Sequence, residues 1–299
     1  MPLANVKIVP GINKADTPSG AEGQWIDGDF VRFRYGQPEK IGGFTAIGQE
    51  TISGPTRAQH TWTDLEGNRY AALGTSKALY IYYEDKFYDV TPLATALTGA
   101  TFTSTNGSNT VTVNKTSHAL DVGEYITFTS VTLPGGGATG FTVANFQDFT
   151  YEVLTAPNAN TFTIQMKTNE SGSGMTAAGS ASINPYEEIG PTIQTYGYGW
   201  GTGTWSRGTW GSGTTSSTVI LDPGSWSLDN FGQQLIATVK DGKTFVWNPG
   251  VSNPLEQRAV VMSGAPTATR LTITSDRDRH VVHFGTETTI GDSTTQDPM

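Results

Sequence analysis

The sequence predicts an all-β protein made of β-propeller-like blades, with a small β-sandwich or barrel domain inserted between them. Three observations carry this expectation. Apolar and polar residues alternate with period two along much of the chain, whereas the 3.6-residue period of an amphipathic helix is almost absent. Gly (36 residues), Thr, Ser and Asn are abundant while charged residues make up only 15%, a composition of short strands and tight turns. A loose strand–turn–strand repeat recurs in both halves of the chain.

Residues 1–94 read as an N-terminal arm followed by the first blades. Pro10-Gly11 breaks the arm, and Trp25 to Phe44 alternates as a hairpin turning at Gly36-Gln37-Pro38. That alternation places Phe30, Arg32 and Arg34 on one face and Val31, Phe33 and Tyr35 on the other. Four short strands follow, at Arg57–Thr63, Tyr70–Leu73, Ala78–Tyr83 and Phe87–Val90, which is the make-up of one blade. The only stretch with a helical turn in it is Pro92 to Thr98.

Residues 95–185 change character and read as the inserted domain. Lys and Arg nearly vanish, leaving Lys115 and Lys167, and Thr, Ser, Gly and Asn dominate. Strands are expected at Thr110–Val113, Tyr125–Ser130, Thr150–Leu154 and Thr161–Gln165. Residues 186–299 return to blades and end in a polar tail. Within them Trp226-Ser-Leu-Asp229 through Ile236 aligns loosely with Trp62-Thr-Asp64 through Ala71, and a weaker third copy starts at Thr274-Ser-Asp276. These units are fewer than the four that close a propeller, so neighbouring subunits or further chain are expected to cover the open edges.

Several functions are disfavoured at this level. With no Cys, thiolate catalysis, disulfides and Cys-ligated zinc are excluded. A net charge of −9 argues against binding nucleic acid through its phosphates. No run of about 18 apolar residues is present, so no membrane insertion is expected. The four histidines, His60, His118, His280 and His283, do not converge by sequence: the last two point to opposite faces of one strand. The carboxylate pairs Asp27/Asp29 and Glu187/Glu188 lack the apolar setting that a glycosidase acid needs. No nucleophile elbow or phosphate loop occurs. No enzyme activity, catalytic residue, metal or cofactor is therefore expected.

Two features point to interaction surfaces. Gly alternates with aromatics from Tyr196 to Trp210, and Trp200, Trp205 and Trp210 fit either packing between subunits or stacking on a glycan. Arg32 and Arg34 fit acidic groups of a neighbouring subunit better than DNA. The candidate inter-subunit contacts are thus Arg32, Arg34, Trp200, Trp205 and Trp210.

Pro10-Gly-Ile-Asn, Trp25-Ile-Asp-Gly-Asp-Phe-Val-Arg32-Phe-Arg34 and Gly36-Gln-Pro-Glu-Lys-Ile-Gly-Gly-Phe44 resemble the opening of tail nozzle proteins of short-tailed bacteriophages, cyanophage-type podoviruses among them. The run from Trp226 to Ala237 resembles their central blades. The resemblance covers roughly residues 1–93 and 186–285, and family members are usually much longer. It implies a β-propeller subunit in a sixfold ring of the virion tail. The ring would lie below the portal and adaptor, next to other tail proteins, and DNA would pass through it without specific binding. The alternative is a propeller that recognises or cleaves a host glycan. His118-Ala-Leu-Asp-Val-Gly123, with Tyr151-Glu-Val-Leu and Asn160 to Ile164, resembles a small β-domain that decorates many phage virion proteins. That likeness implies a surface appendage in which His118 and Gly123 shape a turn.

Overall fold

The computed structural model describes residues 9–43, 45–46, 50–135, 138–191, 222–275 and 277–296, and it is all-β and propeller-like. The chain divides into two compact units, 1–49 and 50–299. In the first unit β1 (Val9–Ile12) and β2 (Gln24–Trp25) pair in parallel, and β3 (Val31–Arg34) and β4 (Gln37–Lys40) form a hairpin. The hairpin turns on Tyr35 and Gly36, both at positive φ, the twist that a two-residue turn between right-twisted strands requires. Phe30 does not extend the alternation as expected. Its φ of 54° puts it outside β3, so it does not share a strand face with Arg32 and Arg34.

The second unit begins with an antiparallel meander, β5 (Thr56–Thr63), β6 (Arg69–Thr75), β7 (Leu79–Tyr83) and β8 (Lys86–Asp89). Its first turn is organised by Asp64, whose carboxylate accepts from the backbone of Glu66 (2.9 Å) and Asn68 (2.8 Å). A second meander comprises β16 (Trp226–Phe231), β17 (Gln234–Val239), β18 (Thr244–Trp247) and β19 (Val260–Val261). A hairpin, β20 (Leu271–Ser275) and β21 (His280–Phe284), follows it.

The two meanders share one core, in which Trp62, Tyr70, Leu79 and Ile81 meet Trp226, Leu235, Phe245 and Trp247. Each buried indole must place its N–H on an acceptor. Trp62 Nε1 donates to the carbonyl of Gln233 (2.9 Å), and Trp226 Nε1 to that of Thr75 (2.9 Å), so each meander supplies an indole to the other's backbone. The Trp226 ring fits because residue 74 is Gly: a Cβ there would lie 2.5 Å from Trp226 Cδ1. Trp62 and Trp226 are nevertheless not equivalent positions of a repeat, as their alignment suggests. Trp62 lies near the end of β5 opposite Tyr70, and Trp226 opens β16 opposite Val239. Asp64 and Asp229 differ likewise. Asp64 builds a turn, whereas Asp229 lies within β16 and accepts from the backbone of Thr274 (2.6 Å). Asp276 lies outside the described residues.

Between the meanders lie β9 (Leu97–Ser104), β10 (Thr110–Asn114), β11 (Tyr125–Thr132), α1 (Val143–Gln147), β12 (Tyr151–Glu152), β13 (Thr155–Asn158), β14 (Thr161–Gln165) and β15 (Ala178–Pro185). The strands form one curled sheet in the order β12-β11-β15-β9-β10-β14-β13, with a core of its own around Phe102, Phe128, Phe146 and Phe162. The helical turn expected at Pro92 to Thr98 is absent, because Leu93 bridges to Tyr186 and Leu97 already belongs to β9. The short helix is α1 instead. Thr142 and Asn145 close a capping box at its start, and Phe146 plugs the sheet, 4.4 Å from Phe102 between ring centroids. His118 fixes the turn before β11: Nδ1 accepts from Leu120 N (3.0 Å), leaving Nε2–H to donate to the Asn158 carbonyl (2.9 Å).

The curled sheet meets both meanders at one polar junction. The Arg258 guanidinium, from the loop before β19, donates to both Asp89 oxygens (3.3 and 3.2 Å), to the Thr91 carbonyl (2.9 Å) and to Tyr186 Oη (3.0 Å). Tyr186, just beyond β15, donates to Asp89 and contacts the Thr150 hydroxyl (3.0 Å). Burial first, and then the charge of Asp89, pushes the Tyr186 phenol well above its ordinary value.

Two predictions follow from this packing. Replacing Arg258 by Met strands Asp89 and should cost roughly 2–3 kcal/mol in urea unfolding. That is below the ~3–5 kcal/mol for a fully buried pair, because the two side chains keep 24% and 27% of their surface exposed. An effect within experimental scatter would remove the junction from the account.

The second prediction concerns acid. Desolvation works against the Glu170 carboxylate, but donors from Gly140, Gly172, Ser104 and Thr139 outweigh it and hold its pKa below the ordinary value. Glu287 behaves in the same way, with Thr267, Gly291 and Ala268 as donors. Each group therefore stabilises the fold fully above its unfolded-state value and loses that contribution as pH falls through its lower folded value. The melting temperature should drop progressively below about pH 5, and less so in Glu170→Gln. Equal acid sensitivity in that variant would exclude Glu170 as a source.

Candidate assembly surfaces

Arg32 and Arg34 sit on the solvent side of the β3–β4 hairpin. Arg32 faces Glu39 across the ladder and donates to it from Nε (3.1 Å). The Arg34 guanidinium lies 5.3 Å from the centroid of the Tyr35 ring, which is 92% exposed. One Arg thus has an acidic partner within its own hairpin, and the pair forms no joint phosphate clamp. Trp200, Trp205 and Trp210 lie outside the described residues. The residues that flank their segment converge. Gly224 N donates to the Pro191 carbonyl (2.8 Å), and Arg57 donates to the carbonyls of both Pro191 and Gly224. A Cβ on residue 224 would fall 1.9 Å from the Ile189 carbonyl oxygen, so this crossing requires Gly.

A cleft of about 470 Å³ opens where the β6–β7 turn meets the curled sheet. Lys77 on one wall pairs with Glu152 (3.0 Å) and lies 5.1 Å from the Tyr125 ring centroid. Asp121 and Glu124 come from the turn before β11, and Glu187 and Glu188 from the strand exit. Burial, then the charges of Asp121 and Glu188, raises the Glu124 pKa above its ordinary value. Glu187 instead accepts from Lys243 (2.7 Å). Glu187 and Glu188 stand out in the sequence as an adjacent pair, whereas Asp121 and Glu124 arrive from a distant segment with no local motif. Asp27 is exposed and pairs with Lys14 (2.5 Å), away from any apolar setting.

The histidines are dispersed. His60 bonds Asn230 (2.8 Å) across the two meanders, His118 fixes its turn, and His283 contacts the Thr272 hydroxyl (3.1 Å) while His280 is exposed. Among the described residues no group of three or more His, Asp or Glu side chains is placed to hold a metal, and no helix is long and apolar enough to cross a membrane.

The outer face of the β20–β21 hairpin is a solvent-facing apolar feature of the second unit. Leu271 pairs with Phe284 and Ile273 with Val282, so the four side chains form one block, 40–46% exposed. The block borders a hollow of about 760 Å³ flanked by Lys240 and Arg270. Lys240 pairs with Asp222 (3.0 Å), and Arg270 lies 3.8 Å from Asp222 and 3.7 Å from Asp241.

No family model matches the chain, and no curated protein matches it. Among solved structures it is similar to one titled "Phage phi92 endosialidase", at 14% identity and a TM-score of 0.24. The match takes in 80% of this chain but only 35% of that protein, so the chain spans about a third of its length, and so low a score carries no argument about activity.

Proposed function

We propose that this chain is a structural component of a bacteriophage tail, a nozzle-like subunit of the DNA-ejection channel below the portal and adaptor. The observation that carries the reading is the open-ended stack of two meanders and a hairpin, with an apolar face left uncovered at its end. Further layers, from other copies or from further chain, would close such a stack, and the N-terminal resemblance implies six copies in the ring. The net charge of −9 suits a channel wall past which DNA must slide, since Lys and Arg contacts would hold phosphates by counterion release. Arg32, Arg34 and the segment with Trp200, Trp205 and Trp210 are then contacts between subunits, and residues 95–185 an outward appendage.

Electron microscopy of the purified protein should show rings with an axial channel, and duplex DNA should not be retained at low salt. Tight DNA binding with a steep salt slope would overturn the channel reading. Glycan binding abolished by Trp205→Ala would move the function to a host receptor.

The appendage has its own test. The chain enters and leaves the curled sheet at one place, where Leu93 bridges to Tyr186 and Ala94 N donates to the Pro185 carbonyl (2.9 Å). Replacing 95–185 by a short Gly/Ser linker should leave a cooperatively unfolding protein. Loss of cooperativity would show that 95–185 is part of the body and not a domain.

A further inference from the structure

We infer that the outer face of the β20–β21 hairpin docks the first meander of a second copy of this chain, stacked head to tail in the direction in which the meanders already stack. This rests on the ring reading and specifies the surface that builds the ring.

The hairpin is patterned against its own fold. A hairpin with one covered face ordinarily turns its apolar residues inward. Here the covered face is mostly polar, with Thr272, Thr274 and His283 beside Val281. Thr272 exchanges hydrogen bonds with Ser227 (2.9 and 3.2 Å) and accepts from the Thr238 hydroxyl (2.8 Å), and Asp229 holds Thr274 N. The apolar block faces solvent, although two strands alone are marginal without something to cover their apolar face. A second layer laid on Leu271, Ile273, Val282 and Phe284 resolves the contradiction.

The stack itself defines that layer. The second meander turns one face to the first meander and the other to the hairpin, so the next layer in sequence lies on the hairpin's outer face. At the opposite end lies the first meander's outer row of Thr61, Ala71, Tyr82 and Phe87, whose first three members border a hollow of about 350 Å³. Two different faces meeting in one direction make a heterologous contact, which yields a ring when the rotation closes.

Charge supports the same orientation. The exposed Arg277 and Arg279 lie in the tip of the hairpin, with Asp278 between them and Asp276 before them in the sequence. β20 runs alongside β16, with Thr272 by Ser227 and Thr274 by Asp229, so the tip lies at the same end as the β16–β17 turn. Trp62 Nε1 reaches Gln233 in that turn, and Tyr83 Oη reaches Asn68, so the β5–β6 and β7–β8 turns lie at this end too. Those turns carry the exposed Glu66, Glu84 and Asp85. Stacked in the same sense, the Arg277 and Arg279 side chains of one copy come beside the acidic turns of the next.

The absence of Cys in the sequence gives a clean test. Chains carrying Val282→Cys and Ala71→Cys are mixed and oxidised. Disulfide between the two variants is expected, with little between identical chains. Linkage of Val282→Cys to itself would mean that two hairpins meet face to face, and it would overturn the head-to-tail contact. Sedimentation provides the second arm. Arg277→Glu/Arg279→Glu should weaken self-association at least tenfold, and Glu84→Lys/Asp85→Lys in the same chain should restore it. Rings that form without the mixed disulfide or the charge rescue would sink this surface and leave the ring reading standing. A chain that stays monomeric at every concentration would sink both.

Discussion

The contact that the second unit depends on is the exchange of indoles between its two meanders. Trp62 and Trp226 each cross to the other meander and end on a backbone carbonyl. Burying two large rings supplies apolar area, and the two N–H bonds fix how the sheets sit, since an indole left without an acceptor in this core would cost about 1–3 kcal/mol. Trp247 adds a third, turning edge-on to Trp62 and Tyr70 at 6.1 and 5.5 Å and donating to Pro254. The arrangement needs one absence as much as three rings. Residue 74 has no side chain, and Trp226 occupies the space that one would take.

Around that core, the long excursions of the chain leave and return through closed necks. The curled sheet is tied by Leu93 and Tyr186, then locked by Arg258 against Asp89. The residues that flank the Gly/aromatic segment are tied by Arg57, Pro191 and Gly224. Closing a neck costs loop-closure entropy, but that term grows only slowly with loop length, so a long insertion costs its host little more than a short one. This lets two stacked meanders carry a seven-stranded sheet between them in sequence without losing their own contact.

Much of this was legible in the sequence, and the exceptions have physical causes. The strands of the first meander follow from alternation because large apolar residues there face a packed side, as in Leu79, Ile81 and Tyr70. Strands β9, β13 and β15 were missed. β9 and β15 are built largely of Gly, Ala, Ser and Thr, and β13 contains Pro157, which reads as a turn. The repeat was visible but its register was not, because two tryptophans at opposite ends of their strands align by identity while serving as reciprocal partners. Of the candidate contacts, the Arg32 and Arg34 strand was readable. The Arg258 junction and the Glu124 cleft were not, since their members come from segments scores of residues apart and carry no local pattern.

The polarity of the terminal hairpin follows from what each of its faces must do. An apolar face buried within the chain would gain more stability but would accept several registers, because apolar contact is non-directional. The bonds of Thr272 to Ser227 and of Thr274 to Asp229 allow one register, and they hold the hairpin parallel to β16. The apolar residues are then freed for the opposite face, where they form a flat block of paired side chains on a defined support. A surface of that kind is a liability for an isolated chain, since exposed strand edges and apolar faces invite non-specific pairing. It becomes an asset once the hairpin is held rigidly in the stacking direction, because the orientation already built into the chain is then passed to whatever layer comes next.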